Sequence, residues 1–147
     1  MGKIKIGSKY IGDGERVYII AEIGINHNGS FVLAKELIKG AKFAGCDAVK
    51  FQKRTPELCV PTDQRDIERE TPWGRMRYID YRHKIELNFD DFCRIDEYCK
   101  KENLVWFASC WDEESVEFID QFNTPLFKAA SASLTDLGLL NKKRETG

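Results

Sequence analysis

The 147-residue chain has no C-x-x-C pair, no excess of basic charge, and no apolar run near the roughly 20 residues that span a bilayer. Each absence removes a class. Its five cysteines (Cys46, Cys59, Cys93, Cys99 and Cys110) are an odd number without a close pair. The first residues carry no apolar stretch of the signal-peptide kind, so reduced thiols in the cytoplasm are expected. A net charge of -1 offers nucleic acid or an anionic membrane little to hold. The most basic cluster, NKKRETG at residues 141–147, reads as a solvated helix terminus. With only His27 and His83 present, no histidine cluster can form, and His27 reads as a loop histidine bonded to backbone. No glycine-rich phosphate loop is found either: IGDGE at 11–15 is not followed by a helix and reads as a hairpin turn.

What is present is an alternation of strands and helices, in a chain long enough for one domain with a core. Residues 1–16 set Ile4 and Ile6 between lysines and carry Gly12-Asp13-Gly14, the pattern of a short β-hairpin. VYIIAEIG (17–24) is apolar on both faces, as a buried parallel strand is. In SFVLAKELIKGAKFAG (30–45), Leu33, Leu37, Ala41 and Ala44 recur with Ala34 and Ile38 at helical spacing. Ser30 caps this helix and Gly45 closes it.

The alternation then repeats. CDAVKFQ (46–52) predicts a strand. NFDDFCRIDEYCKKEN (88–103) predicts a helix capped by Asn88 that buries Phe92, Ile95 and Cys99. LVWFASCW (104–111) predicts a strand, and DEESVEFIDQF (112–122) a helix capped by Asp112 that buries Val116, Ile119 and Phe122. PLFKAAS (125–131) predicts a fourth strand and TDLGLLNKKRETG (135–147) a further helix. Four strand–helix units in series imply parallel strands with right-handed crossovers, an α/β fold. Residues 53–87 break the rhythm. They show no clear periodicity and no single-sign charge block, since residues 61–84 hold six Arg/Lys and five Asp/Glu. A long loop at this place is expected to be functional and lid-like.

In parallel α/β folds the ligand site lies at the carboxyl ends of the strands. The polar residues there are Glu22, then Lys50 and Gln52, then Ser109 and Cys110, then Lys128 and Ser131. Lys50 and Gln52 are two apart and share a face, while Val49 and Phe51 take the other. Burying a lysine without a partner is costly. Two strands ending in lysine therefore suggest a shared anionic ligand, or else a structural ion pair with Glu22. Cys110 lacks a nearby histidine and reads as a half-buried thiol. Trp73, Trp106 and Trp111 read as packing residues.

The stretches AEIGINHNG, DAVKFQ, FASCWDEESV and KAASASLTD, in this order, closely resemble the N-terminal barrel of the sialic acid synthase family. That family includes the N-acetylneuraminate, legionaminate and pseudaminate synthases. The resemblance covers essentially the whole chain. It implies a (β/α)8 TIM-type barrel, of which residues 1–147 would supply the hairpin and about the first four β/α units. Strands five to eight and any small antifreeze-like C-terminal domain would lie outside this chain. The activity implied is condensation of phosphoenolpyruvate with the open-chain aldehyde of an N-acetylated amino sugar, by dimeric enzymes that use a divalent metal such as Mn²⁺ or Mg²⁺.

Carried over to this sequence, the resemblance implies that Lys50, Gln52, Lys128 and Ser131 hold phosphoenolpyruvate through charge-assisted contacts. It implies that Glu22 meets the sugar, and that the metal would polarise the aldehyde. The metal-binding histidines of the family belong to the later strands. Many relatives carry Asp or Glu where this chain has Ser133, and a hydroxyl cannot replace a carboxylate as general base. Ser133 is left as a substrate-binding candidate. Two other readings stay open: a Schiff-base aldolase using Lys50 or Lys128 as nucleophile, and a non-catalytic module that binds ligand or partner through the same surface.

Overall fold

A computed structural model describes residues 2–146. The chain begins with the antiparallel hairpin β1 (Ile4–Ile6) and β2 (Lys9–Ile11). Its turn is not Gly12-Asp13-Gly14, as the sequence suggests, but Gly7-Ser8. Ile6 pairs with Lys9, and Gly7 takes the left-handed φ of 58° that a two-residue hairpin turn requires. Gly12 opens a separate turn closed by the Glu15 N–H. The hairpin is tied down by Asp47, whose buried carboxylate pairs with Lys9 and Arg16 and accepts the Ile19 N–H at 2.6 Å.

The core is a parallel sheet of β3 (Ile20–Gly24), β4 (Ala48–Lys53) and β7 (Val105–Cys110), in the order β3-β4-β7. Helix α1 (Phe31–Phe43) crosses from β3 to β4, and α4 (Phe89–Lys101) packs beside it. Both are capped as their sequences predict. Ser30 Oγ accepts from Leu33 N, and Asn88 and Asp91 form a reciprocal capping box. Phe92, Ile95 and Cys99 from α4 meet Val49, Phe51 and Trp106 in one apolar cluster. Helix α5 (Glu113–Asp120) follows β7 with Asp112 as its cap and adds Val116 and Ile119.

Three expectations are corrected. Residues 17–24 are not a strand buried on both faces. β3 is the edge of the sheet, with Val17, Ile19 and Ile20 exposed. On α1 the buried stripe is Ala34, Ile38 and Ala41, while Leu33 and Leu37 face outward. The fourth strand does not form: 125–130 carries no ladder, and is joined to β7 by the Lys128 N–H bonded to Ala108 O at 3.3 Å. Among the described residues it meets a neighbouring strand on one side, β7.

Residues 53–87 are also not a structureless loop. They hold α2 (Pro56–Cys59), a 3-10 turn (Thr62–Gln64), the hairpin β5 (Glu68–Thr71) and β6 (Gly74–Arg77), and α3 (Tyr78–Ile85). Trp73, Tyr78 and Tyr81 pack together, with Arg69 and Arg82 laid over Tyr78. The chain closes with α6 (Leu137–Glu145). Among the described residues no helix is long and apolar enough to cross a membrane.

Candidate functional site

At the carboxyl ends of β3, β4 and β7 the parallel register sets three polar side chains together. Glu22 lies directly across from Lys50. Lys50, only 2% exposed, points its Nζ to within 2.9 Å of Glu22 Oε2 and donates to Ser109 Oγ at 3.3 Å. The Lys50 charge is thus met by one carboxylate and one hydroxyl, which is how a lysine can be this buried. Glu22 itself keeps 63% of its side chain exposed. It forms the solvent side of the pair and is free to trade partners. The register shifts between Glu22 and Gly24, where Gly24 takes φ 58° and pairs with Phe51.

Gln52 stands beside Ser109 in the register and is half-buried. The backbone of Lys128 reaches the same end of β7, because its N–H bonds to Ala108 O and its carbonyl accepts from Lys143 Nζ at 3.4 Å. The Lys128 side chain is exposed and makes no hydrogen bond or ion pair among the described residues. Ser131 and Ser133 lie in a 3-10 turn at 131–133, Ser131 exposed and Ser133 buried. The structure therefore joins Glu22, Lys50 and Ser109 by direct contact. Gln52 sits alongside in the ladder. Lys128, Ser131 and Ser133 lie on the segment after α5, where only the Lys128 backbone is bonded to β7. Ser109 was visible in the sequence as a strand-end residue. What the sequence did not carry is that its hydroxyl faces Lys50, because that depends on the β4–β7 register.

The cysteines and histidines stand apart from this chemistry. Cys110 is fully buried rather than half-buried, and burial pushes its thiol up to about 12. All five thiols are free. His27 is loop-bound, its Nδ1 accepting the Gly29 N–H at 3.1 Å. Burial lowers it to about 4, only partly offset by the Gly24 carbonyl. His83 pairs with Glu57 on the surface at 2.7 Å. Among the described residues no group of three or more His, Cys, Asp or Glu could hold a metal ion. A buried histidine already serving as a backbone acceptor and a remote surface histidine do not fit the Mn²⁺ or Mg²⁺ that the family resemblance implies.

A second polar cluster caps the strand ends. Asp112 Oδ2 accepts from Thr55 N at 2.8 Å and Ser115 Oγ at 2.8 Å, and Oδ1 accepts from Ser115 N at 2.7 Å. Lys53 pairs with Glu86 at 3.2 Å, and the Arg54 guanidinium lies 4.1 Å from the Trp111 ring centroid. Sequence reading passed over Arg54, although Lys50, Gln52 and Arg54 recur at every second residue. That is the spacing of one strand face.

The fold and site together define an α/β domain with a parallel sheet that carries a buried, ion-paired lysine at its carboxyl mouth. The comparisons make it specific. The chain belongs to the NeuB family, whose model matches residues 37–147. It is 37% identical to an uncharacterized protein of Methanocaldococcus jannaschii, over 100% of this chain and 40% of that one. It is also 37% identical to the N-acetylneuraminate-9-phosphate synthase of Drosophila melanogaster, over 87% of this chain and 35% of that protein. Among solved structures, it matches the N-acetylneuraminic acid (sialic acid) synthetase of Leptospira borgpetersenii, crystallised with citrate. There the TM-score is 0.84 with 25% identity, over 99% of this chain and 47% of the other. The chain thus spans less than half the length of these relatives.

Proposed function

We propose that this chain supplies the phosphoenolpyruvate-binding half of a sialic-acid-type synthase, with its sheet forming part of a (β/α) barrel. The supporting observation is the buried Lys50, held between Glu22 and Ser109 at the carboxyl ends of parallel strands, in a member of the NeuB family. The reaction joins C3 of phosphoenolpyruvate to the aldehyde carbon of an N-acetylated amino sugar, and the aldehyde oxygen takes up a proton. Water adds to C2, and the C2–O bond to phosphate breaks. The products are a nonulosonic acid and inorganic phosphate.

In this reading Lys50 gives its charge to the phosphate or carboxylate of phosphoenolpyruvate, and Ser109 and Gln52 orient that group by hydrogen bonds. Lys128, whose side chain is free in the resting chain, adds a second cation, and the Ser131 and Ser133 hydroxyls line the approach. Glu22, released from Lys50 by the incoming anion, turns to the sugar. The divalent metal would be held by groups outside this chain, and none of these roles depends on it. The assembled enzyme would be a homodimer.

A Schiff-base role for Lys50 is opposed by its carboxylate partner at 2.9 Å, the arrangement of an ion pair; for Lys128, borohydride trapping with a carbonyl substrate should give no adduct. Calorimetric titration with phosphoenolpyruvate tests the proposal. Lys50→Gln is expected to weaken binding by about ten- to hundredfold, the loss of one charge-assisted contact. Unchanged affinity in that variant would refute it.

A further inference from the structure

Asn28-Gly29 is the one Asn-Gly pair in the chain; every other asparagine precedes a larger residue. Asparagine is thermally labile. Its weak point is the backbone nitrogen of the next residue, which can attack the side-chain amide carbon. A following glycine leaves that nitrogen most open, because it has no Cβ and the freest backbone. The Asn28 side chain is half-buried and makes no hydrogen bond among the described residues. Nothing ties down the amide itself.

The backbone holds the wrong shape for the attack. Asn28 has φ 50°, in the left-handed region, where ψ is also positive at about 30–60°. That turns the Gly29 nitrogen away from the Asn28 side chain across the Cα–C bond. Ring closure needs the two on the same side, so Asn28 must first leave this conformation. Several contacts oppose that. The Gly29 N–H is bonded to Nδ1 of the buried His27 at 3.1 Å. The Asn28 and Ser30 N–H groups bond to the Ile25 and His27 carbonyls at 3.0 and 2.9 Å, closing a turn on either side. Gly29 itself is pressed against the Lys84 carbonyl. Burial keeps the His27 ring neutral at pH 7, so Nδ1 stays an acceptor.

We infer that Asn28 is a latent deamidation site, held unreactive by the Gly29 bond to His27, so that opening of the β3–α1 loop exposes it to irreversible change. In the open loop Gly29 N bonds to Asn28 Cγ and gives up its proton to water. The Cγ–Nδ2 bond breaks, and the departing nitrogen takes up a proton and leaves as ammonia. Water then opens the five-membered imide at either carbonyl, giving aspartate or isoaspartate at position 28. Both products add a negative charge. Isoaspartate also lengthens the main chain by a carbon, which the close approach of Gly29 to Lys84 does not accommodate. The loop follows Glu22 directly, so the change falls beside the strand end that carries the Lys50 pair.

The test incubates the whole chain at neutral pH and physiological temperature. Mass spectrometry of the peptide carrying position 28 follows the conversion, and enzymatic methylation counts the isoaspartate. The native chain should convert at least about tenfold more slowly than the same chain in urea. In His27→Leu the native rate should rise about three- to tenfold, the worth of one net hydrogen bond. Ile119→Val, a buried change on α5, lowers stability without touching the loop and should leave the rate within about twofold. If His27→Leu does not fold, the native-to-urea ratio and the Ile119→Val rate still decide. Equal rates in native buffer and urea overturn the inference. So does an unchanged rate in folded His27→Leu. An Ile119→Val rate raised as much as the His27→Leu rate also overturns it, because the loop would then open only with the whole fold.

Discussion

Gly29 lies against Lys84 so closely that a Cβ at Gly29 would sit 2.2 Å from the Lys84 carbonyl oxygen. The β3–α1 loop, which carries His27, and the end of α3 are thereby in backbone contact. Gly29 also has φ 68°, where a side chain is strained in its own right. Gly29→Ala must therefore both strain the loop and push α3 away. The expected loss is at least about 2 kcal/mol, more than the 1–2 kcal/mol of the left-handed conformation alone. Urea unfolding measures it, and hydrogen exchange should show faster opening of residues 78–85. A wild-type midpoint would mean the contact relaxes freely.

The Lys50–Glu22 pair makes an opposite forecast for stability. A buried ion pair is often worth no more than an apolar pair of similar size. Lys50→Met keeps most of the side-chain volume and removes the buried charge, leaving Glu22 free to face water. Its urea midpoint is expected to stay level or rise, while phosphoenolpyruvate affinity falls. A large loss of stability in Lys50→Met would mark the pair as structural rather than functional.

His27 gives the chain an acid sensitivity with a definite sign. Burial holds the folded imidazole at about 4, below its value of about 6.5 in the unfolded chain. Between these values the unfolded chain binds the extra proton, so stability is full above about pH 6.5 and is lost as pH falls towards 4. At pH 5 the loss from this group is about 2 kcal/mol. His27→Gln cannot titrate and should flatten the slope between pH 7 and 5. An equally steep slope in the variant would place the sensitivity elsewhere.

These forecasts rest on features of uneven legibility. The caps Ser30, Asn88 and Asp112 are readable because capping is local: one side chain answers an amide three residues on. The parallel strands β4 and β7 are readable because both faces are buried, which leaves unbroken apolar runs. The β5–β6 hairpin is not readable. Its strands, ERET and GRMR, are charged and mostly exposed, so no alternation betrays them, and the turn depends on Gly74 at φ 89°. The stretch at 125–130 has strand composition but finds a neighbour on one side only, and composition does not report neighbours. Lys50 and Glu22 were legible as strand-end residues. Ser109 and Arg54 acquire meaning only from what lies across the register or beneath the side chain.

Asp112 carries the last prediction because it does two jobs at once. It caps α5 through Ser115 N, and it holds the chain leaving β4 through Thr55 N and Thr55 Oγ1. Cys59 Sγ also donates to it, at 3.2 Å. Every partner is a donor, so Asp112→Asn, though equal in shape, must turn an amide N–H₂ against donors whichever way it flips. The expected cost is about 3 kcal/mol, from two or more lost charge-assisted bonds. Burial raises the Asp112 carboxyl, but the bonds from Thr55 and Ser115 outweigh it and leave it below the usual range. The wild-type stability from this group is therefore present above about pH 4 and lost below, and the variant should lack that part of the acid transition. A second readout follows at Cys59. Burial, together with the hydrogen bond to Asp112 and its charge, pushes the thiol up to about 12. Removing the charge should lower it and speed alkylation by iodoacetamide at Cys59, because the thiolate is the reactive form and Cys110, the other thiol near Asp112, is fully buried. An Asp112→Asn chain with wild-type stability and unchanged Cys59 reactivity would show that this carboxylate is not what binds β7 to the segment above the site.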